Sequence, residues 1–265
     1  MTDEKFSIRA ELEKLYNSVK TLDKKVVIIL ISVAVLQTIS WYYTSRNFFR
    51  IHFFNQLQFN PHVYLIEYLY WFFGDFFTYF ILGTLIIVLI LREKPRNYGI
   101  QLGDYKAGLK IAGLFVAVMV LIIWFVSASH DFSATYPQLN SAKNSWNVFI
   151  VFELGIFIYM FAWEFVWRGF LLFGLEEKFG YYAIVIQMIP FVILHNGKPA
   201  AETFSAILGG IALGILAWRT RSIFYCVIVH ASVMFSIDFI STLRFRADDY
   251  GVGITSLIHI IKEFF

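Results

Sequence analysis

The chain has 265 residues, of which 58% are hydrophobic and only 15% are charged. A soluble domain carries about 45–50% apolar and about 25% charged residues, so this composition excludes an ordinary soluble protein. The net charge of +3 is too small to indicate a nucleic-acid-binding protein. Cys226 is the only cysteine, which excludes an internal disulfide and a cysteine metal cluster.

Several apolar runs reach the length of about 20 residues that crosses a bilayer. They predict an all-α, polytopic membrane protein with seven or eight transmembrane helices. The predicted spans are residues 26–43, 62–91, 107–128, 147–173, 181–194, 200–218 and 222–243, and the short run 252–265 is either an eighth span or an interfacial helix. We find no internal repeat, so one transmembrane domain, residues 26–265, is expected.

The segments outside these runs predict an orientation. Residues 1–25 form an amphipathic cytoplasmic segment, either on the membrane surface or in solvent. They are not a cleavable signal peptide, because the apolar run starts too late. With the N-terminus in the cytoplasm, the basic loops 92–110, 176–180 and 219–221 also lie inside, as the positive-inside rule requires.

Four arginines oppose this orientation, so the charge bias is moderate: Arg46, Arg50, Arg244 and Arg246. We also expect residues 46–61 to be interfacial and residues 175–180 to form a short loop. The predicted location is the cell (plasma) membrane, with membrane lipids as partners.

Ionisable residues inside the apolar runs mark a candidate site. Glu164 and Arg168 are four residues apart, a spacing that places both on one face of a helix. His195 follows the fifth span, and His230 lies in the seventh. At about 1.5 Å per residue, Glu164, His195 and His230 lie roughly 12–20 Å from the cytoplasmic ends of their runs. Charged groups in a membrane are costly, so one functional cavity is the expected explanation.

A second polar layer is predicted at roughly 24 Å by the same count. It contains Asp75, Glu202 and Asp238, which we expect to support the first layer. Asp238 lies two helical turns after His230 on the same face, so the two layers are expected to communicate.

The first layer has two chemical interpretations. A glutamate beside a neutral imidazole can take a proton from water and pass it to a leaving amine, while a second histidine stabilises an oxyanion. Alternatively, Glu164, His195 and His230 hold a zinc ion with one position open for water. Both lead to peptide hydrolysis, and the sequence does not choose between them. The simplest non-catalytic interpretation of Glu164 and Arg168 is a structural ion pair.

Three short motifs resemble those of the CPBP family, intramembrane proteases that include type II CAAX prenyl endopeptidases and bacteriocin-processing Abi proteins. The family motif Glu-Glu-x-x-x-Arg stands as Trp-Glu-Phe-Val-Trp-Arg at residues 163–168. The motif Phe-x-x-x-His matches residues 191–195, and the third motif, His-x-x-x-Asn or Asp, starts at His230. The resemblance covers about residues 90–245.

The chain departs from these motifs at two positions. Trp163 replaces the glutamate that is usually catalytic in the family, and Met234 replaces the polar end of the third motif. Either the catalytic role has moved to Glu164, with Glu202 or Asp238 supplying the missing polar contact, or activity is lost. Residues 195–202 resemble an extended second motif of bacterial members with the same Trp-Glu start, which favours a divergent, active subgroup.

The resemblance and the residues together predict an intramembrane endopeptidase with a membrane-associated protein or peptide substrate. Glu164 is the expected general base, with Arg168 positioning it. His195 orients or shares the proton, and His230 stabilises the oxyanion. No cofactor is certain, and zinc is the candidate. The alternatives are a non-catalytic scaffold or bacteriocin-immunity-type protein of the same fold and, third, a proton-coupled transporter using the second layer.

Overall fold

The computed structural model describes residues 7–263 as helices joined by turns, without a strand in that part of the chain. The predicted all-α fold is therefore confirmed. The helices are α1 (Ile8–Lys20), α2 (Lys24–His52), α3 (Val63–Leu91), α4 (Tyr105–Val126), α5 (His130–Thr135), α6 (Asn140–Asn144), α7 (Trp146–Phe179), α8 (Tyr182–Ile193), α9 (Ala200–Thr220), α10 (Phe224–Ala247) and α11 (Ile254–Lys262). Two single-turn helices, the α-helical Phe54–Leu57 and the 3-10 helix Pro95–Tyr98, flank α3.

Six of the described helices, α2, α3, α4, α7, α9 and α10, are long and apolar enough to cross a membrane. The protein is thus a multi-pass membrane protein. Helix α8 is also apolar, but its 12 residues extend about 18 Å, less than the about 30 Å of a hydrocarbon core. Helix α11 has nine residues, a length of about 13 Å, so it is too short for an eighth span.

Helix α7 is the centre of the bundle. In its most apolar stretch 61% of the residues are buried, against 11–44% in the other five long helices. It packs against α2, α3, α8 and α10, while α8 forms a tight hairpin with α9, and α4 covers α10. Gly210 and Gly214 of α9 face α8, where a Cβ atom at either position would meet α8 side chains at 2.8–2.9 Å. These glycines therefore permit the close approach of the two helices.

The C-terminal end of α7 differs from the sequence expectation. The helix continues to Phe179, so the loop predicted at residues 175–180 is wrong. The charged residues after Leu175 are compatible with a helix whose end leaves the membrane, and Glu176 there accepts two hydrogen bonds from Arg221, at 2.5 and 2.6 Å. Gly180 ends the helix with a φ of 51°, a conformation that glycine adopts without strain.

The arginines that oppose the predicted orientation all have internal partners. Arg46 and Arg50 lie 2.6 and 2.9 Å from Oε1 of Glu67, whose side chain is fully buried. These two arginines therefore neutralise a carboxylate inside the bundle.

The other two arginines join α10 to the segment before α7. Arg244 is fully buried and donates to the Ser127 hydroxyl at 2.9 Å and to the Trp124 carbonyl at 2.8 Å. Arg246 donates to the Lys143 carbonyl at 2.8 Å. These contacts explain why all four arginines lie where the predicted orientation does not expect positive charge.

Replacing Glu67 by alanine is expected to lower the free energy of unfolding by about 2 kcal/mol. Breaking a fully buried pair costs about 3–5 kcal/mol, but the Arg46 and Arg50 side chains keep 30% and 53% of their exposure, which reduces the penalty. The measurement is denaturant unfolding in detergent micelles. The matched control is Glu13→Ala, which removes an exposed pair with Arg9 and should have no measurable effect. Equal effects of the two variants would contradict this account.

Candidate active site

A buried carboxylate joins α7 to α10. Oε1 of Glu164 lies 3.0 Å from Nη1 of Arg168 and 2.6 Å from Nδ1 of His230. An ionised carboxylate only accepts hydrogen bonds, so both nitrogens are donors. Glu164 and Arg168 are fully buried. Arg168 lies in the π-helical turn Phe165–Leu171, a local widening of the helix that is frequent at functional sites.

Part of this cluster lacks protein partners. Oε2 of Glu164 and both Nε and Nη2 of Arg168 are buried, and none of them has a hydrogen-bond partner among the described residues. The Arg168 guanidinium also lies 4.0 Å from the centre of the Phe191 ring, a cation–π contact that ties α8 to the cluster. Unpartnered buried groups of this kind are typical positions for internal water.

His195 is fixed differently from His230. It lies in the turn after α8, outside the membrane-spanning helices, with Nδ1 at 2.7 Å from the carbonyl oxygen of Phe191. The carbonyl can only accept, so Nδ1 carries the hydrogen and Nε2 is left as an acceptor. Burial lowers the pKa of His195 to about 4, and the imidazole is therefore neutral at pH 7.

Both imidazoles line one cavity of about 120 Å³, which is room for about four waters at about 30 Å³ each. Lys198, Glu202 and Asp238 contribute polar groups to the same cavity. Glu164 is not part of its wall; its carboxylate stands behind His230. The structure thus brings the two histidines to one cavity that has room for a few waters, and it holds one of them through a buried carboxylate.

The same two histidines border a second, larger cavity. Its volume is about 350 Å³, and its other walls are mostly apolar side chains of α4, α8, α9 and α10, including Met119, Leu208 and Val233. The imidazoles therefore lie between a small cavity that also carries Lys198, Glu202 and Asp238 and a larger apolar groove.

The second polar layer comes together only in part. Glu202 lines the small cavity, where it accepts a short hydrogen bond from the Tyr136 hydroxyl and lies 3.6 Å from Nζ of Lys198. Asp238 lines the same cavity.

Asp75 lies elsewhere, in a cavity of about 390 Å³. Its carboxylate accepts hydrogen bonds from Ser40 and Thr44, both at 2.7 Å, and from Trp71 at 2.8 Å. The indole of Trp163 borders both this cavity and the smaller one. Asp75 is therefore held against α2, away from Glu202 and Asp238.

Several residues at the site were missed by sequence reasoning. Glu153 of α7 has its carboxyl group within hydrogen-bond reach of Asp238. It lies eleven residues before Glu164, about three helical turns, in the same apolar run. That position inside a predicted span was the available signal. Lys198 and Tyr136 carried no comparable signal, because they lie in polar segments between spans.

The residues present do not fit the zinc interpretation. Among residues 7–263, no three His, Cys, Asp or Glu side chains are grouped so that they could hold a metal ion. Glu164 stands behind His230 and is not part of the cavity wall that His195 and His230 line, so the three expected ligands do not surround one space. No step of the reaction below passes through a metal.

A protein-family model described as "Rce1-like: Type II CAAX prenyl endopeptidase Rce1-like" matches residues 144–236, about a third of the chain. This segment is similar to that family. The predicted resemblance to the CPBP family is thereby confirmed, over a shorter segment than the expected 90–245. The segment contains Glu164, Arg168, His195 and His230, and the match supports a CAAX-type intramembrane protease. Searches of curated proteins and of solved structures each gave no match.

Glu164→Ala is expected to lower the free energy of unfolding by about 3–5 kcal/mol, because it leaves the Arg168 cation buried and unpaired. The double variant Glu164→Leu with Arg168→Met should lose less than the single variant, since it removes both charges and keeps the volume. Denaturant unfolding in micelles measures both. A double variant at least as unstable as the single one would show that charge pairing is not what the site requires.

Proposed function

We propose that this protein is an intramembrane endopeptidase that cleaves a membrane-associated protein or peptide. The observation that carries the proposal is the placement of His195 and His230, from separate elements, on one small cavity beside an apolar groove. The family match over residues 144–236 supports the same reaction class. It does not favour the scaffold or the transporter.

His195 is proposed as the general base. Its neutral ring presents Nε2 as an acceptor, because Nδ1 is bound to the Phe191 carbonyl. Nε2 takes a proton from a water molecule in the cavity as the water oxygen bonds to the peptide carbonyl carbon. The products of this step are a tetrahedral intermediate with an oxyanion and a protonated His195.

His230 is proposed as the oxyanion donor. Its Nδ1 lies 2.6 Å from the Glu164 carboxylate, which leaves Nε2 facing the cavity, and a hydrogen on Nε2 would donate to the oxyanion. When the intermediate collapses, the carbon–nitrogen bond breaks and His195 returns its proton to the leaving amine. The products are a carboxylic acid and an amine, and both histidines regain their starting forms.

Glu164 has a positioning role in this proposal, in place of the general-base role expected from the sequence. It is fully buried and stands behind His230, so it reaches the substrate only through that imidazole. Arg168 balances the carboxylate charge from the next turn of α7. The position that the family motif gives to glutamate is taken by Trp163, which borders the cavity and offers no carboxylate.

The apolar groove indicates the kind of substrate. Its mostly apolar walls lead to both imidazoles, so they suit a chain segment that lies in the bilayer beside the bond to be cut. A plasma-membrane location with the N-terminus in the cytoplasm remains part of the proposal. It is supported by the basic loops on one side and by the internal partners of the arginines on the other.

Replacing His195 or His230 by alanine is expected to lower the cleavage rate at least about 100-fold, the usual contribution of a positioned acid or base. The assay presents a library of membrane-anchored peptides to the protein in proteoliposomes and identifies products by mass spectrometry. The matched control is His259→Ala. His259 is exposed, lies 3.0 Å from Asp249, and lines neither of the two cavities that the site histidines border. Undiminished cleavage in both site variants would refute the assignment.

Exhaustive chelation is expected to leave the wild-type rate unchanged, because the site residues are not arranged as metal ligands. The measurement is the proteoliposome rate after incubation with 1,10-phenanthroline and again after adding zinc. A loss that zinc restores would overturn the metal-independent mechanism and revive the zinc interpretation. If the wild type cleaves no member of the full library, the non-catalytic scaffold becomes the favoured interpretation.

A further inference from the structure

A second pair of ionisable residues joins α7 to α10, two turns of α10 from His230. The carboxyl groups of Glu153 and Asp238 lie within hydrogen-bond reach of each other. Asp238 is 1% exposed, and Glu153 is mostly buried. Ionised carboxylates have no hydrogen to donate, so a hydrogen bond between two carboxyl groups requires a proton on one of them.

The pair lies between two different spaces. Glu153 borders a cavity of about 480 Å³ between α7 and α10, whose rim includes the exposed apolar residues Ile150, Leu154 and Phe235. Since both helices are long enough to cross the membrane, this side faces lipid. Asp238 borders the small cavity of the candidate active site. One carboxyl group is thus reachable from the bilayer, and the other from the active-site cavity.

The nearby cations are engaged elsewhere. Nζ of Lys143 donates to the Ser133 carbonyl at 3.2 Å. Nζ of Lys198 donates to the Tyr136 hydroxyl at 2.9 Å and lies 3.6 Å from Glu202. The other titratable groups that face Asp238 are Tyr68, Tyr136 and Glu202, which bring no positive charge.

Within residues 7–263, neither carboxyl group forms an ion pair with a lysine, arginine or histidine. One oxygen of each, Oε1 of Glu153 and Oδ1 of Asp238, also has no hydrogen-bond partner there. Two negative charges in contact repel strongly where water is excluded, and the two nearby lysines, Lys143 and Lys198, act on Asp238 only from beyond ion-pair distance. A proton shared by the two groups removes the repulsion and supplies the missing hydrogen.

We propose that Glu153 and Asp238 form a proton-binding site inside the membrane, in which the two carboxyl groups hold one proton between them. The site goes beyond the proposed peptidase, because its occupancy does not depend on peptide hydrolysis. It places an exchangeable proton in the wall that separates the bilayer from the cavity of His195 and His230.

A protonated carboxyl group that faces lipid is a target for an apolar carbodiimide. The acid gives its proton to one carbodiimide nitrogen, and its oxygen bonds to the central carbon to form an O-acylisourea. The acyl group then shifts from oxygen to the second nitrogen, which leaves a stable N-acylurea on the side chain. The adduct contains all atoms of both reactants, and no oxidant or other reactant takes part.

The test treats the full-length protein in proteoliposomes with N,N′-dicyclohexylcarbodiimide between pH 5 and pH 9 and maps adducts by mass spectrometry. In the wild type we expect the adduct on Glu153 to persist above pH 7, and Glu153→Gln to abolish it. Asp238→Asn should move the midpoint of labelling down by about one pH unit or more, because an amide there donates to the Glu153 carboxylate and no longer repels it.

Two carboxylates of this chain serve as controls. Asp75 is buried but held by three neutral donors, so Asp238→Asn should leave its labelling unchanged. Glu13 is exposed to water and should remain unlabelled. If Asp238→Asn fails to fold, Asp238→Ser removes the same charge and should give the same direction of shift.

Two results would overturn the proposal: no adduct on Glu153 at any pH, or the same labelling profile with and without Asp238. The readout is chemical, so it can succeed in a protein that cleaves no peptide. A failure of the peptidase proposal is therefore distinguishable from a failure of this one.

Discussion

The contact on which the interior depends is the one made by a single oxygen, Oε1 of Glu164. It accepts from Arg168 on its own helix and from His230 on α10. Charges at such depth are tolerated only when they are paired, so each member of the cluster fixes the others. Through the contact of Arg168 with Phe191, the same cluster also reaches α8 and the turn that carries His195.

This arrangement gives the two histidines different properties. Nδ1 of His230 is held by a carboxylate, whereas Nδ1 of His195 is held by a backbone carbonyl, which leaves Nε2 of that ring as an acceptor. A pair of imidazoles in unlike surroundings is what acid and base steps require, since each step needs the opposite protonation state. The chemistry that we propose for each histidine therefore depends on the group that binds its Nδ1.

The sequence predicts well what depends on local spacing. The pairing of Glu164 with Arg168 follows from their separation of four residues, and α3 spans Val63–Leu91 where residues 62–91 were expected. The end of α7 was missed because charged residues after Leu175 suit both a loop and a helix that leaves the membrane.

Contacts between helices were only partly predictable. Counting residues along a span estimates the height of a side chain but not its rotation about the helix axis. Asp75 was expected at the height of Glu202 and Asp238, yet it is turned towards Ser40 and Thr44 of α2. Glu153 was overlooked because its partner, Asp238, is 85 positions further along the chain. The packing of α7 against α10, which no short pattern encodes, brings the two together.

The shortness of α8 has a consequence for the surrounding lipid. Twelve residues extend little more than half of the thickness of a hydrocarbon core, so α8 is too short to cross a bilayer of ordinary thickness by itself. The apolar surface of the protein is therefore shorter along the membrane normal beside α8 than beside α7. Acyl chains next to α8 must shorten, tilt or leave room for water. The acyl-chain length of the host membrane is therefore expected to affect the turn that carries His195, even when the polypeptide is unchanged.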